Sequence, residues 1–396
     1  MGATGTVSSC SGGSFSHLCP TMSTDPRIRA WVEVSSSALR QNFEYVRTIV
    51  GPGIGILPVV KADGYGLGLT ELVRVLEPSA PWGYGIETVD EGRKIRSLGV
   101  MRPVLLLAPI PPGEVEAAID SDLRLGISSI DALKCVVGVA STLGREAVIH
   151  VEVDTGIGRS GFDWRDVARW GPEVIVHTEK EVRWEGVFTH FYSADDLQCG
   201  AMTDQADRFA DTLRVLSGLR DEGWIEHICN SAGLFGRYDF VGGLVRPGIF
   251  LYGGKSWLGL PQPDPVVAIK ARIVLIREVP LGTILGYGAT YRAGGRERWA
   301  TLGIGYGDGI PRALGNGGEV LVGGRRVPII GRISMGMIVV DITGLSESSG
   351  KVGDEVTFVG EDHGEYISLE EVARISGTIS HEVLTGLSPR LPRIWV

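Results

Sequence analysis

Eight short apolar runs alternating with helix-like stretches constrain the fold of this chain more than any other feature. The runs lie at 58–61, 83–86, 104–108, 123–127, 148–153, 186–191, 227–230 and 244–250, and amphipathic stretches between them include 38–49, 88–98, 112–119, 130–143 and 201–222. Strands that alternate with helices form a parallel sheet, and eight of them close a barrel. The expectation is a TIM-type (β/α)8 barrel over residues 36–262. A doubly wound open sheet is the alternative.

Past residue 262 the pattern changes. Runs at 266–279, 299–304, 319–322, 326–330, 338–342 and 355–359, separated by Gly-rich turns, read as an all-β domain over 263–396. Residues 27–35 alternate like a strand and are expected to join it. Residues 1–26 are rich in Gly, Ser and Thr and lack the basic start and apolar centre of a signal peptide. They are expected to be a disordered tail, with Met22 as an alternative start. Met1 to Thr6 fits the loose N-myristoylation pattern, which is read as coincidence.

With 396 residues, two or three domains are expected. A net charge of -9 and the lack of a Lys/Arg-rich run argue against nucleic-acid and anionic-membrane partners. No apolar stretch approaches the roughly 20 residues that span a bilayer. Cys10, Cys19, Cys135, Cys199 and Cys229 are scattered, odd in number and without a CxxC, which reads as reduced thiols in a cytoplasmic compartment. Cys229, beside candidate site residues, reads as a small buried hydrophobe.

Ligands of a (β/α)8 barrel sit at the C-terminal ends of the strands. The unusual polar residues of this chain fall there. Lys61 and Tyr65 follow the first run, and the glycines around them let backbone approach a ligand closely. A lysine whose stem is packed and whose amine is desolvated loses basicity and can form a Schiff base with an aldehyde. Asp154 to Arg159 follow the fifth run, Thr189 and His190 the sixth, Asn230 and Ser231 the seventh, and Arg246 to Ile249 the eighth. Ser231 and the backbone N–H groups near Gly248 and Ile249 suit an anion.

The chain resembles alanine racemase of the fold-type III pyridoxal phosphate (PLP) enzymes, from about residue 28 onwards. The resemblance rests on VVKADGYG, VDTGIGRSGF, GVFTHF, CNSAG, VRPGI, GYGATYRA, GIGYGDGIPR and GRISM, in that order. It implies a PLP-dependent racemase that interconverts L- and D-alanine and supplies D-alanine for peptidoglycan. It also implies a head-to-tail homodimer in which each site joins one barrel to the partner's β domain. Lys61 then resembles the Schiff-base lysine and the base on one face of the substrate. Tyr287 resembles the base on the other face, contributed in trans. A tyrosine, with a reference pKa of about 10, is a poor base at neutral pH unless nearby cations favour its phenolate. Arg246 resembles the arginine at the pyridine nitrogen, and His190 and Asn230 resemble cofactor-site residues beside it, His190 supporting the arginine. Arg159 resembles the arginine near the cofactor's phenolic oxygen and the substrate carboxylate. Tyr65, Ser231, Gly248 and Ile249 resemble the phosphate cradle. Met335 resembles a backbone contact to the substrate carboxylate, and Tyr306 a gate residue. No metal is implied.

Three positions depart from the family pattern. Glu152 stands where many members have a carbamylated lysine, and is expected to pair with Arg159. Gly336 stands where many have an acidic residue, and His381 where many have a tyrosine. Both changes widen the pocket, so tolerance for serine or larger side chains is expected. The competing readings are a PLP homeostasis protein, which lacks the β domain, and a barrel-type PLP decarboxylase, which lacks the GYGATY and GRISM motifs. An NAD enzyme fails because the glycines at 51–55 precede a strand. A metal site at Glu361, Asp362 and His363 reads as a solvated turn.

Overall fold

Barrel closure is visible in the backbone hydrogen bonds. The computed structural model describes residues 28–178, 180–196, 199–219, 223–236, 242–255 and 261–396. The expected tail, with Cys10, Cys19 and Met22, lies outside the described residues, as do Arg27 and residues 220–222 of an expected helix.

Parallel strands run Tyr84–Ile86, Val104–Leu106, Arg124–Ile127, Ala147–Asp154, Val182–Phe188 and Ile225–His227 in one sheet. The short strand Leu244–Val245 pairs in parallel with Gly55–Ile56. Bonds from Gly243 N–H to Glu226 O and from Arg246 N–H to Cys229 O join it to the seventh strand, each at 2.9 Å. On the other side, Val60 N–H to Gly85 O at 2.8 Å joins the first strand to the second. Eight parallel strands thus close a ring, with helices outside. Most barrel-strand residues are buried; from Ala147 to Val153 all are.

Local chemistry sets the helix boundaries. Ser35 accepts from Ala38 N–H at 3.2 Å and starts Ser36–Val50, whose Leu39, Phe43 and Val46 share one buried face. Thr88 and Glu91 form a capping box at the start of Val89–Ser97. Gly144, at φ 61°, ends Ile130–Leu143. Helix Ala201–Ser217 ends earlier than the expected 222.

Several expected strands differ in extent, the first and the eighth most: the first pairs at Gly55–Ile56, with only a bridge at Val59 in the expected run 58–61. The first ends before Lys61, which begins a tight turn, and the eighth covers only Leu244–Val245 before a 3-10 turn at Ile249–Tyr252. Backbone after each must bend towards the ligand side, and apolarity alone does not register that bend.

The C-terminal domain is mostly antiparallel. Val267–Val279, Glu297–Leu302, Ile338–Asp341, Arg325–Ile330, Glu319–Val322 and Glu355–Asp362 pair in that order, and the last pairs back with the first. Ala30–Val34 adds to Val267–Val279, and Arg393–Trp395 adds to Ala30–Val34. The sequence pattern predicts an all-β domain, and the structure adds two helices to it. Helices Leu369–Ser376 and Ser380–Thr385 lie against the barrel mouth and line its cavity. Among the described residues no helix is long and apolar enough to cross a membrane.

Candidate active site

Lys61 opens a left-handed turn. Ala62, Asp63, Gly64 and Tyr65 have φ of 54°, 53°, 67° and 56°. Each L-residue there costs about 1–2 kcal/mol, so the turn is strained. Bonds from Gly64 N–H to Val60 O (2.9 Å) and Gly66 N–H to Ala62 O (2.8 Å) hold it. The Asp63 carboxylate accepts from Lys94 Nζ at 2.8 Å and from Leu69 N–H at 3.1 Å. The result brings Lys61 and Tyr65 to one cavity of about 790 Å³. The desolvated amine expected from the apolar run is absent in the single subunit: the Lys61 side chain is 37% exposed, with Nζ 3.5 Å from Glu87 Oε1.

One end of the cavity is a cradle. Tyr65 is buried and stacks on Tyr252 with centroids 4.4 Å apart. Burial, and then Glu87, push its phenol well above the ordinary range, so it stays a neutral donor. A Cβ on Gly248 would come within 2.3 Å of the Tyr65 hydroxyl, so only glycine fits there. Ser231 Oγ accepts from Gly248 N–H at 2.8 Å and from Phe250 N–H at 3.4 Å. The Gly248 N–H, expected to face an anion, is therefore occupied by Ser231, and it is the serine hydroxyl proton that remains to be donated. Ile249 is buried beside it. Asn230 Oδ1 accepts from Gly233 N–H at 2.9 Å and shapes the chain leading out of the seventh strand.

The other end is cationic. Arg246 is buried, and its two Nη groups donate to His227 Nδ1, His227 O and Thr189 O, all at 2.8 Å. Longer contacts reach Ile228 O at 3.3 Å and His190 Nδ1 at 3.4 Å. Nε–H is thus the donor left for a ligand. Burial lowers the guanidinium to about 10, and it remains charged at neutral pH. Burial, then Arg246, Arg159 and Lys61, push His190 down to about 3. That excess of positive charge suits an anionic ligand.

Arg159 is exposed at the cavity wall. Its expected ion pair with Glu152 is not formed. Glu152 is buried and accepts from Ser128 Oγ at 2.7 Å. A carboxylate buried in a barrel strand takes the nearest inward donor, and Arg159 lies out on the loop. Tyr287, Tyr306 and Met335 are 69%, 42% and 62% exposed on the β domain. None of the three lines the cavity of its own subunit.

Alanine racemase family models match residues 34–256 (N-terminal domain) and 266–395 (C-terminal domain). This chain belongs to the alanine racemase family. Alanine racemase of Syntrophobacter fumaroxidans is 37% identical over 361 residues, covering 90% of this chain and 95% of the relative. That of Halothermothrix orenii is 35% identical, covering 92% and 96%. The solved structure of alanine racemase from Streptomyces coelicolor superimposes with a TM-score of 0.88 at 29% identity, covering 94% and 100%. A Bartonella henselae alanine racemase, solved with covalently bound pyridoxal phosphate, gives 0.85 at 27% identity, covering 93% and 99%. The family reading drawn from the ordered motifs therefore stands, and with it an isomerase class of activity. The matched C-terminal domain sets aside the single-barrel homeostasis reading.

Within this alanine racemase fold, several site residues went unread in the sequence. Glu87 faces Lys61, and His227 grips Arg246 more closely than His190 does. Gln205, also unread, joins Thr155 and Thr189, already noted at strand ends, in a buried hydroxyl–amide cluster behind the loop of Arg159. The available signal was polarity out of place: His150 and His227 stand within or at the ends of apolar runs.

Proposed function

We propose that this chain is a PLP-dependent alanine racemase, acting as a cytoplasmic homodimer that supplies D-alanine for peptidoglycan. One observation carries the reading. A single cavity gathers an amine, a Tyr65–Ser231–Gly248 cradle and a donor-only Arg246, while Tyr287 stands exposed on the β domain away from it. The cradle that a Cβ would fill and the cationic wall fit a phosphate-bearing aldehyde.

In this reading Lys61 would hold the cofactor, Tyr65 and Ser231 would hold its phosphate beside Gly248 and Ile249, and Arg246 would hold its ring nitrogen, with His190 and Asn230 supporting. Bound PLP supplies an electron sink that acidifies the α-hydrogen of an attached amino acid. Because guanidinium only donates, Arg246 would keep a ring nitrogen held against it unprotonated, which would temper that sink and disfavour side reactions. Lys61 Nζ removes or returns the α-proton on one face, and Tyr287 Oη of the partner subunit does so on the other. Arg159 and the partner subunit's Met335 backbone orient the substrate carboxylate, and the partner subunit's Tyr306 narrows the access path. The barrel (36–262) thus holds the cofactor, and the β domain (263–396) completes the partner's site.

Incubating protein and PLP with a panel of L-amino acids, followed by chiral analysis, tests this. D-alanine should appear, and Lys61→Ala should lose the visible absorbance of the bound cofactor. Absence of D-alanine would end the proposal. Serine should turn over more slowly. A Cβ at Gly336 would meet only Arg29 Nη1, at 3.5 Å, and His381 lies 5.9 Å from the Tyr65 ring. Complete rejection of serine would remove this tolerance.

A further inference from the structure

A row of titratable side chains runs from the cavity into the barrel wall. Arg246 Nη1 is 2.8 Å from His227 Nδ1, His227 Nε2 is 2.8 Å from His150 Nδ1, and His150 Nε2 is 3.1 Å from Glu185 Oε2. Neither imidazole has exposed surface. Glu185 is met from outside by Arg124 Nε at 3.3 Å and by Arg183 Nη1 at 3.0 Å, and the Arg183 side chain is 44% exposed. The row therefore connects the site to the protein surface.

The two ends decide where the protons sit. Arginine only donates and a carboxylate only accepts. Arg246 Nη1–H makes His227 Nδ1 an acceptor, which leaves the His227 proton on Nε2. That proton points at His150 Nδ1, so His150 carries its own proton on Nε2 and donates it to Glu185. The opposite tautomers would set N–H against N–H at Arg246 and a lone pair against the carboxylate. An imidazolium on either ring fails for the same reason: it ends with an N–H of His227 aimed at Arg246. Both rings are neutral, with one orientation of protons along the whole row.

The backbone is built around this row. Ile149 pairs with Trp184 but His150 pairs with Gly186, so Glu185 is the extra residue of a β-bulge. A bulge re-aims a side chain, and here it accompanies a carboxylate meeting His150. Gly186 makes the room, since a Cβ there would lie 2.2 Å from His150 Nδ1. Phe188 stacks on His227 with centroids 4.9 Å apart and planes 10° apart, and the Arg246 guanidinium lies 5.5 Å from the same ring.

We propose that Glu185 is a positioning residue of the racemase: through His150 and His227 it shares with Arg246 the setting of both tautomers, and it holds Arg246 with its remaining N–H towards the cavity. The charged and titratable neighbours are Arg124 and Arg183 at Glu185, and Glu152, Arg159, His190 and Cys229 at Arg246. The effect on turnover rests on the racemase reading; the proton positions do not.

The test uses the holoenzyme labelled with 15N-histidine. In the parent, both rings should show a protonated Nε2 and an unprotonated Nδ1 from about pH 6 to 8, across the ordinary titration range of histidine. Glu185→Gln offers His150 a donor as well as an acceptor, so the row is held in one orientation from the Arg246 end alone and the lock weakens. It should give mixed tautomers, a shifted absorbance maximum of the bound cofactor, and kcat lower by about tenfold with KM within about twofold. Parent rings found protonated on Nδ1 would overturn the proposal without any variant. A folded Glu185→Gln with parent tautomers, or with parent kcat, would overturn it too. If the parent does not racemise alanine, the racemase reading falls, and the shifts still judge the row.

Discussion

The residues proposed for proton transfer differ in how the fold treats them. Lys61 is held by a strained turn at the cavity, whereas Tyr287 sits on the surface of a separate domain. The next residue, Gly288, lies against a cation: a Cβ there would come within 3.0 Å of Arg332 Nη1. If Tyr287 serves only as the second base, Tyr287→Phe removes the proton and little else. Racemisation should fall by about 10²–10⁴-fold, the usual worth of a positioned acid or base, while the bound cofactor's absorbance stays. Stopped assays with chiral analysis of both directions would check this, and near-parent rates would exclude the role.

Two elements store the costs of the site. The left-handed turn at 62–65 includes Ala62, an exposed residue at φ 54°. Glycine occupies that region freely and a β-branched residue does not. Ala62→Gly should therefore hold or raise stability, and Ala62→Val should lower it by about 1–2 kcal/mol, read as a shift in the urea midpoint. The barrel carries the second cost, neutral histidines: His150 and His227 are buried in strands, and half-buried His190 lies just past one. Burial lowers His150, His190 and His227 below the ordinary value, with His190 at about 3. Below about 6.5 the unfolded chain binds protons that the folded chain refuses; between that pH and about 3 His190 contributes a slope of about 1.4 kcal/mol per pH unit, and His150 and His227 act in the same direction. Stability should be complete above about pH 6.5 and fall steeply towards about pH 4. Urea titrations at several pH values would show it, and a flat profile between pH 7 and 5 would count against buried neutral rings.

At the scale of the molecule, the separation of cavity and Tyr287 makes a prediction about mixing. Lys61→Ala and Tyr287→Phe subunits are each inactive as homodimers in the shared-site reading. After unfolding and refolding together, half the molecules should be heterodimers with one intact site. Activity should return to about a quarter of the parent, as two-fold exchange requires. No recovery would mean that each subunit works with its own tyrosine.

Alternation of apolar runs and helical stretches was enough to read the barrel and the switch to antiparallel strands, because burial of strand faces is written directly in residue type. The polar residues at strand ends were equally legible: Lys61, Tyr65, Arg159, His190, Asn230, Ser231, Arg246, Gly248 and Ile249 all line one cavity. What depends on direction was not. The helices Leu369–Ser376 and Ser380–Thr385, the early end of the first strand and the partner of Glu152 are set by which groups meet across the packed domains. The histidine row is the clearest case, since its members lie far apart in the chain and only barrel closure and one bulge set them within hydrogen-bond reach. Composition and spacing decide what must be buried; hydrogen-bond direction, and hence the proton positions around Arg246, exists only once the strands are in register.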